Sequence, residues 1–187
     1  LLGATPECLV ALHGREVISD ALAGTAWQAA DSLLGDEKAA REQWLVVGSI
    51  AEALQPFCTR LDIPPRPEML RLRHLQHLWS RIRGEVRPGA SLLDLVAKVH
   101  PTPAVGGVPT REAMAWLKQQ GDIRRAWYTG AIGWLDTEGE GEFHVVLRCA
   151  LLDRHRADVF AGAGIVAGSD PRKELAETEM KLNAMLE

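Results

Sequence analysis

Apolar and polar positions alternate early in the chain. Residues 8–13 (CLVALH) and 16–20 (EVISD) flank His13-Gly14-Arg15, a pattern that predicts a β-hairpin. Residues 22–36 are small and polar and predict a loop containing Gly24 and Thr25. The period then lengthens. Trp44, Val47, Ile50, Ala51 and Leu54 recur at three- and four-residue steps, which predicts a helix over 37–57. Pro64, Pro65 and Pro67 punctuate a linker. The segments 69–75 (MLRLRHL) and 77–86 (HLWSRIRGEV) alternate loosely and predict two extended stretches.

Residues 92–99 suit a short helix. The next segment, HPTPAVGG (100–107), is expected to be non-helical, because two prolines fix its backbone and two glycines admit close approach of another group. Thr110 is expected to cap a helix over 111–120, with Glu112 in its first turn. From Trp127 the strand signal returns. WYTGAIGWL, EFHVVLRCALL and DVFAGAGIV, separated by DTEGEGE and DRHRA, predict an antiparallel meander. Asp170-Pro171 opens a last helix that runs to about Met185, with proline in its first turn. There is no internal repeat. Helices set against antiparallel sheet give an α+β fold class.

Composition narrows the function. The 187 residues suffice for about one domain. With 47% hydrophobic and 25% charged residues the chain is neither disordered nor collagenous nor a disulfide-stapled miniprotein. A net charge of −4 makes nucleic acid a poor partner. No apolar run reaches the ~20 residues of a membrane helix, so no membrane contact is expected. Cys8, Cys58 and Cys149 are odd in number and far apart, which suggests free thiols in a reducing, cytoplasmic setting. The opening LLGATPE has neither a starting Met nor a signal-peptide n-region. It reads like the middle of a domain, so the chain is expected to be the C-terminal part of something longer.

Several residues carry candidate chemistry. In the last helix Glu174, Glu177 and Lys181 share one face. Two carboxylates one turn apart form a hard-oxygen pair suited to Mg²⁺; the same spacing also describes a solvated face with an i,i+4 Glu177–Lys181 pair. Glu42, in the first turns of the long helix, is either a third carboxylate or surface charge. Arg148 lies within an apolar run, VVLRCALL, where it either faces solvent or clamps an anion with its bidentate fork. The run Ala161-Gly162-Ala163-Gly164-Ile165 offers backbone N–H groups to an anionic ligand, or merely packs tightly. His77 is either a packed polar residue or a ligand contact, and Glu7 follows Thr5-Pro6 near a strand start.

In one order, ATPE (4–7), LAGTA (22–26), EKAARE (37–42), QHL (76–78), HPTPAVGG (100–107), WYTGAIGWLD (127–136), LRCALL (147–152), AGAGIV (161–166) and ELAETEMKL (174–182) run along almost the whole chain. This resembles the C-terminal part of the chorismate-utilising enzymes, in their isochorismate synthase branch. HPTPA in particular resembles that branch rather than the amine-forming or salicylate-forming ones. The resemblance implies layered antiparallel sheets with helices packed outside and an N-terminal half lying elsewhere. It implies a single chorismate-binding catalytic domain, a monomer, serving siderophore or menaquinone synthesis.

The implied reaction is Mg²⁺-dependent isomerisation of chorismate to isochorismate, by attack of water at C2 with loss of the C4 hydroxyl. The alternatives are salicylate synthesis, which goes on to eliminate pyruvate, and a non-catalytic or split relative that binds a chorismate-like acid. Hydroxide is a poor leaving group and needs a general acid; the resemblance assigns that role to Glu7. It assigns Glu42, Glu174 and Glu177 to the metal. Arg148, Tyr128, Gly162, Gly164 and Lys181 become the substrate-anion cradle, His77 a ring-side contact, and Gly24 and Thr25 the lining near the attacked carbon. The implied ion neutralises a substrate carboxylate in an acidic pocket, so metal and substrate are expected to depend on each other for binding. The family's base is a lysine in the N-terminal half, and no lysine here occupies its motif. The stretch between Thr25 and Lys38 is shorter than the family norm, and Ala39 stands where an acidic residue is usual.

Overall fold

The computed structural model describes residues 1–27, 33–120 and 125–186. Two antiparallel sheets organise the chain. The larger contains β2 (Cys8–His13), β3 (Glu16–Trp27), β4 (Cys58–Asp62), β6 (Leu75–Val86), β7 (Ala131–Leu135) and β8 (Gly141–Val145), in the order β4-β6-β3-β2-β8-β7. A short strand, β5 (Glu68–Arg71), pairs with β6 beside this path. The smaller sheet has the order β1-β9-β10, from β1 (Leu2–Gly3), β9 (Cys149–Asp153) and β10 (Arg156–Phe160). The hairpin at Gly14 forms as its sequence predicts, with Leu12 opposite Val17 and φ +59° at the glycine.

Helices α1 (Glu37–Leu54) and α2 (Leu92–Val99) cover one face of the larger sheet, and their buried Val46, Ile50, Leu54, Leu92, Leu95 and Val99 join Val10, Val17, Ala21 and Ile82 in one core. Asp36 caps α1 by accepting from the Ala39 N–H, and Ser91 with Asp94 closes a capping box on α2. The inner face of α1 is Ala39, Gln43, Val46, Ile50 and Leu54. Trp44, which belongs to the apolar spacing in the sequence, is 73% exposed. Gln43 goes inside instead, its amide nitrogen donating to Ala21 O and Ser80 Oγ at 3.0 and 2.9 Å. A 3-10 turn at Gln55–Phe57 ends the helix three residues before the expected boundary.

The stretch 22–36 is not a loop throughout. β3 continues to Trp27, paired along its whole length with β6, and residues 28–32 lie outside those described. Its small side chains reflect close packing of α1: a Cβ on Gly24 would stand 2.7 Å from the Ala39 Cβ. HPTPAVGG likewise contains a short helix, α3 (Pro103–Gly106), because Pro103 at its first position needs no N–H partner. Thr110 is the first residue of α4 (Thr110–Gln119) rather than its cap, and its hydroxyl donates to Gly107 O. The last helix, α5 (Pro171–Leu186), begins at the expected proline and touches β3 and β10.

The expected strand EFHVVLRCALL breaks in two. β8 ends at Val145, the chain crosses at 146–148 from the larger sheet to the smaller, and β9 starts at Cys149. Arg148 sits in that crossing with φ +45°, so the alternation expected through it does not apply.

Candidate active site

A cavity of about 890 Å³ opens between the N-terminal half of α1, the end of β3, α3, the Arg148 crossing and α5. That volume suits a small-molecule ligand. Glu7, Gly24, Thr25, Glu42, His77, Tyr128, Arg148, Gly162, Gly164, Glu177 and Lys181 all line it. Glu174 stands behind this wall, buried, and joins the group through Lys38.

Glu7 precedes β2. Its backbone carbonyl accepts from the Val145 N–H, while its side chain is 2% exposed and Oε1 has no hydrogen-bond partner. Burial, reinforced by the negative charge of Asp20 and opposed by Lys181, pushes its pKa from the ordinary 4.5 to about 8. The carboxyl therefore holds its proton at neutral pH. Asp20 is itself fixed by both guanidinium arms of Arg81, at 2.8 and 3.0 Å, and by Trp79 Nε1 at 2.9 Å.

A bulge at Gly24, where φ is +67°, presents that residue's carbonyl to His77 on the neighbouring strand. His77 Nδ1 lies 3.0 Å from Gly24 O and 3.2 Å from Thr25 Oγ1, and Nε2 lies 3.0 Å from Arg148 Nη2. A guanidinium only donates, so Nε2 accepts and Nδ1 carries the proton, donated to Gly24 O. Burial, opposed by the Gly24 bond and aided by Arg148, lowers the His77 pKa to about 4. A neutral imidazole thus aims a guanidinium. Arg148, itself drawn below its usual pKa by burial, projects from the sheet crossing into the cavity.

Tyr128 stacks on Phe160 with ring centroids 5.7 Å apart. The turn that carries it is held by the HPTPAVGG segment: His100 Nε2 donates to Thr129 O at 2.9 Å, and Arg125 Nη1 donates to Val105 O at 2.7 Å. The small-residue run after β10 has a steric basis. A Cβ on Gly162 would come within 3.1 Å of the Tyr128 hydroxyl, and one on Gly164 within 3.3 Å of Glu42 Oε1. Lys181 Nζ donates to Gly162 O at 2.9 Å and to Glu177 Oε1 at 2.6 Å, so the i,i+4 pair forms but faces the cavity rather than open solvent.

The acidic wall is interleaved with ammonium groups. Lys38 Nζ lies 2.7 Å from Glu174 Oε1 and 3.2 Å from Glu42 Oε1. Burial raises the Glu42 pKa, opposed by Lys38 and reinforced by Glu177 and Glu174. Burial works against charge on Lys38, yet its bond to Glu174 and the charge of Glu42 hold its pKa above the ordinary value. Hard carboxylate oxygens are the donor chemistry of Mg²⁺. Glu174 Oε2 is buried without a hydrogen-bond partner, as an oxygen open to a cation would be. As the side chains stand, no three metal-type groups among the described residues already form an ion cage. The residues fit a divalent ion chemically, with Lys38 and Lys181 between them.

Sequence reasoning passed over Lys38, Arg125, Phe160 and Trp116, of which the last three line or buttress the cavity. Lys38 had a signal, its i,i+4 spacing to Glu42. The others have none, because their contacts join segments far apart in the chain.

A family profile described as chorismate binding enzyme matches residues 1–187. The chain belongs to this family. It is 43% identical over 195 residues to the salicylate biosynthesis isochorismate synthase of Pseudomonas aeruginosa, covering 100% of this chain and 41% of that protein. It is 40% identical over 196 residues to the isochorismate synthase DhbC of Bacillus subtilis, covering 100% of this chain and 49% of that one. Among solved structures, MenF, the menaquinone-specific isochorismate synthase from Escherichia coli, superposes with a TM-score of 0.87 at 34% identity, over 98% of this chain and 44% of that one. The chain thus spans about half the length of these relatives or somewhat less, and corresponds to a part of each.

Proposed function

We propose that this chain provides the general acid, the anion cradle and the metal carboxylates of an isochorismate synthase, a Mg²⁺-dependent isomerase of chorismate. One observation carries the reading: Glu42, Glu177 and the buried Glu7 line a single cavity that Arg148 and Lys181 also face, with Glu174 behind it and joined to Glu42 through Lys38. Chorismate is a small diacid whose isomerisation needs a proton delivered to a departing hydroxyl.

In this reading Arg148, oriented by His77, binds the enolpyruvyl carboxylate through its donor fork, with Tyr128 and the backbone near Gly162 completing the cradle. Glu42, Glu174 and Glu177 would hold the ion, which would supply positive charge to neutralise the ring carboxylate in an otherwise acidic pocket. Water forms a bond to C2, the ring double bonds shift, and the C4–O bond breaks. Glu7 gives its proton to the leaving hydroxyl, which departs as water. Its pKa of about 8 keeps that proton available at neutral pH. Lys181, which faces Glu7 electrostatically, then stabilises the carboxylate left behind. The base that takes the proton of the attacking water is assigned to none of the residues here; the family resemblance puts it in a segment outside this chain.

The test is incubation of the full-length protein with chorismate and Mg²⁺, followed by product separation. Isochorismate is the expected product, lost on chelation. Salicylate with equimolar pyruvate would move the assignment to the lyase branch, and recovery of unreacted chorismate would reduce the chain to a binding relative.

A further inference from the structure

Lys38 and Lys181 both neutralise the acidic wall, but they are built differently. Lys181 is 17% exposed and doubly tied, to Glu177 and to the fixed carbonyl of Gly162. Lys38 is 30% exposed, sits in the first turn of α1, and contacts carboxylates alone. Its four-carbon stem gives it room to swing toward solvent. One ammonium therefore bridges two carboxylates contributed by different helices, Glu42 on α1 and Glu174 on α5. Glu174 Oε2, on the same side chain whose Oε1 meets Lys38, is buried without a hydrogen-bond partner.

We propose that Lys38 is the resident cation of the metal-free site and competes with the divalent ion for Glu42 and Glu174. This deepens, and rests on, the reading of the three glutamates as a divalent-ion site. Three carboxylates and two ammonium groups carry one net negative charge. An ion added beside both lysines would leave the wall positive, whereas an ion that takes the place of Lys38 leaves it neutral. A carboxylate oxygen occupied by an ammonium is also unavailable as a metal ligand, so loading requires the lysine to let go. Without any cation, two buried carboxylates from separate helices would repel and pull α5 from α1. Lys38 thus lowers ion affinity while holding the empty site together.

The test is direct titration of Mn²⁺ into the full-length protein without substrate, following free Mn²⁺ by electron paramagnetic resonance. Wild type, Lys38→Gln and Lys38→Arg are compared. The glutamine variant is expected to bind Mn²⁺ about tenfold more tightly, with the arginine variant close to wild type. In chelator, Lys38→Gln should melt below wild type, and saturating Mn²⁺ should close the gap. Equal or weaker binding by Lys38→Gln, with wild type still binding, overturns the competition while leaving the ion site standing. No binding by either protein overturns both. If Lys38→Gln fails to fold in chelator, recovery on adding Mn²⁺ supports the competition, and no recovery counts against it.

Discussion

Glutamates in and behind the cavity wall stand in two different settings. In one, Glu7 is buried with an unpartnered oxygen, next to a second negative charge fixed by Arg81, and its proton is retained to about pH 8. In the other, Glu42, Glu174 and Glu177 are also largely buried, yet each has an ammonium within 3.2 Å. Glu7 Oε1 has no hydrogen-bond partner among the described residues, whereas each of the other three holds an ammonium that another cation could replace. Direct ammonium contacts at three glutamates, against only a longer-range influence of Lys181 on Glu7, distinguish the candidate ion holders from the proton donor within one small space.

That contrast can be broken most sharply at Glu7. Glu7→Gln removes the proton but keeps the shape, so kcat should fall on the order of a thousandfold with chorismate affinity little changed. A near-normal kcat would remove Glu7 from the acid role. Among the other three, Glu177→Gln should weaken Mn²⁺ binding roughly 10- to 100-fold and raise the Mg²⁺ concentration needed for turnover in parallel. Unchanged metal dependence would mean that Glu177 holds only Lys181.

His77 supports the cradle rather than either set of glutamates. Its replacement by Phe leaves the guanidinium without its acceptor at 3.0 Å. The expected result is a KM for chorismate about tenfold higher with a smaller change in kcat. A kcat loss at constant KM would give His77 a different part.

The same proton also affects stability. The folded pKa of Glu7, about 8, exceeds the unfolded value of 4.5, so unfolding releases a proton between those values. Stability from this group is highest below about pH 4.5, falls as pH rises toward 8, and levels off above. Denaturant midpoints measured from pH 5 to 9 should show that decline, and Glu7→Gln should lack this component.

How far the sequence foretold this arrangement depended on the range of the forces involved. The α5 register put Glu174, Glu177 and Lys181 on one face through local helix geometry alone; Glu177 and Lys181 pair in the cavity, while Glu174 is buried behind it against Lys38. The hairpin at Gly14 and the helix at 92–99 were legible for the same reason. Residues 22–27 were not, since their small side chains signal a loop in isolation but in the fold make room for α1 against β3. Arg148 was hidden by an unbroken apolar run, because nothing local marks where a chain changes sheets. Trp44 faces solvent and Gln43 the core, where a distant carbonyl and hydroxyl, at Ala21 and Ser80, accept from the amide nitrogen. The proximity of Glu42 to Glu174 is likewise a tertiary fact, and Lys38 makes it visible.

The central claim is that Glu7, in this cavity, holds its proton near neutral pH. Difference infrared spectroscopy of wild type against Glu7→Gln, from pH 6 to 9, measures it directly. A protonated-carboxyl band should be present in wild type at pH 6, absent from the variant, and titrate away near pH 8. A wild-type spectrum at pH 6 with only carboxylate bands would contradict the account.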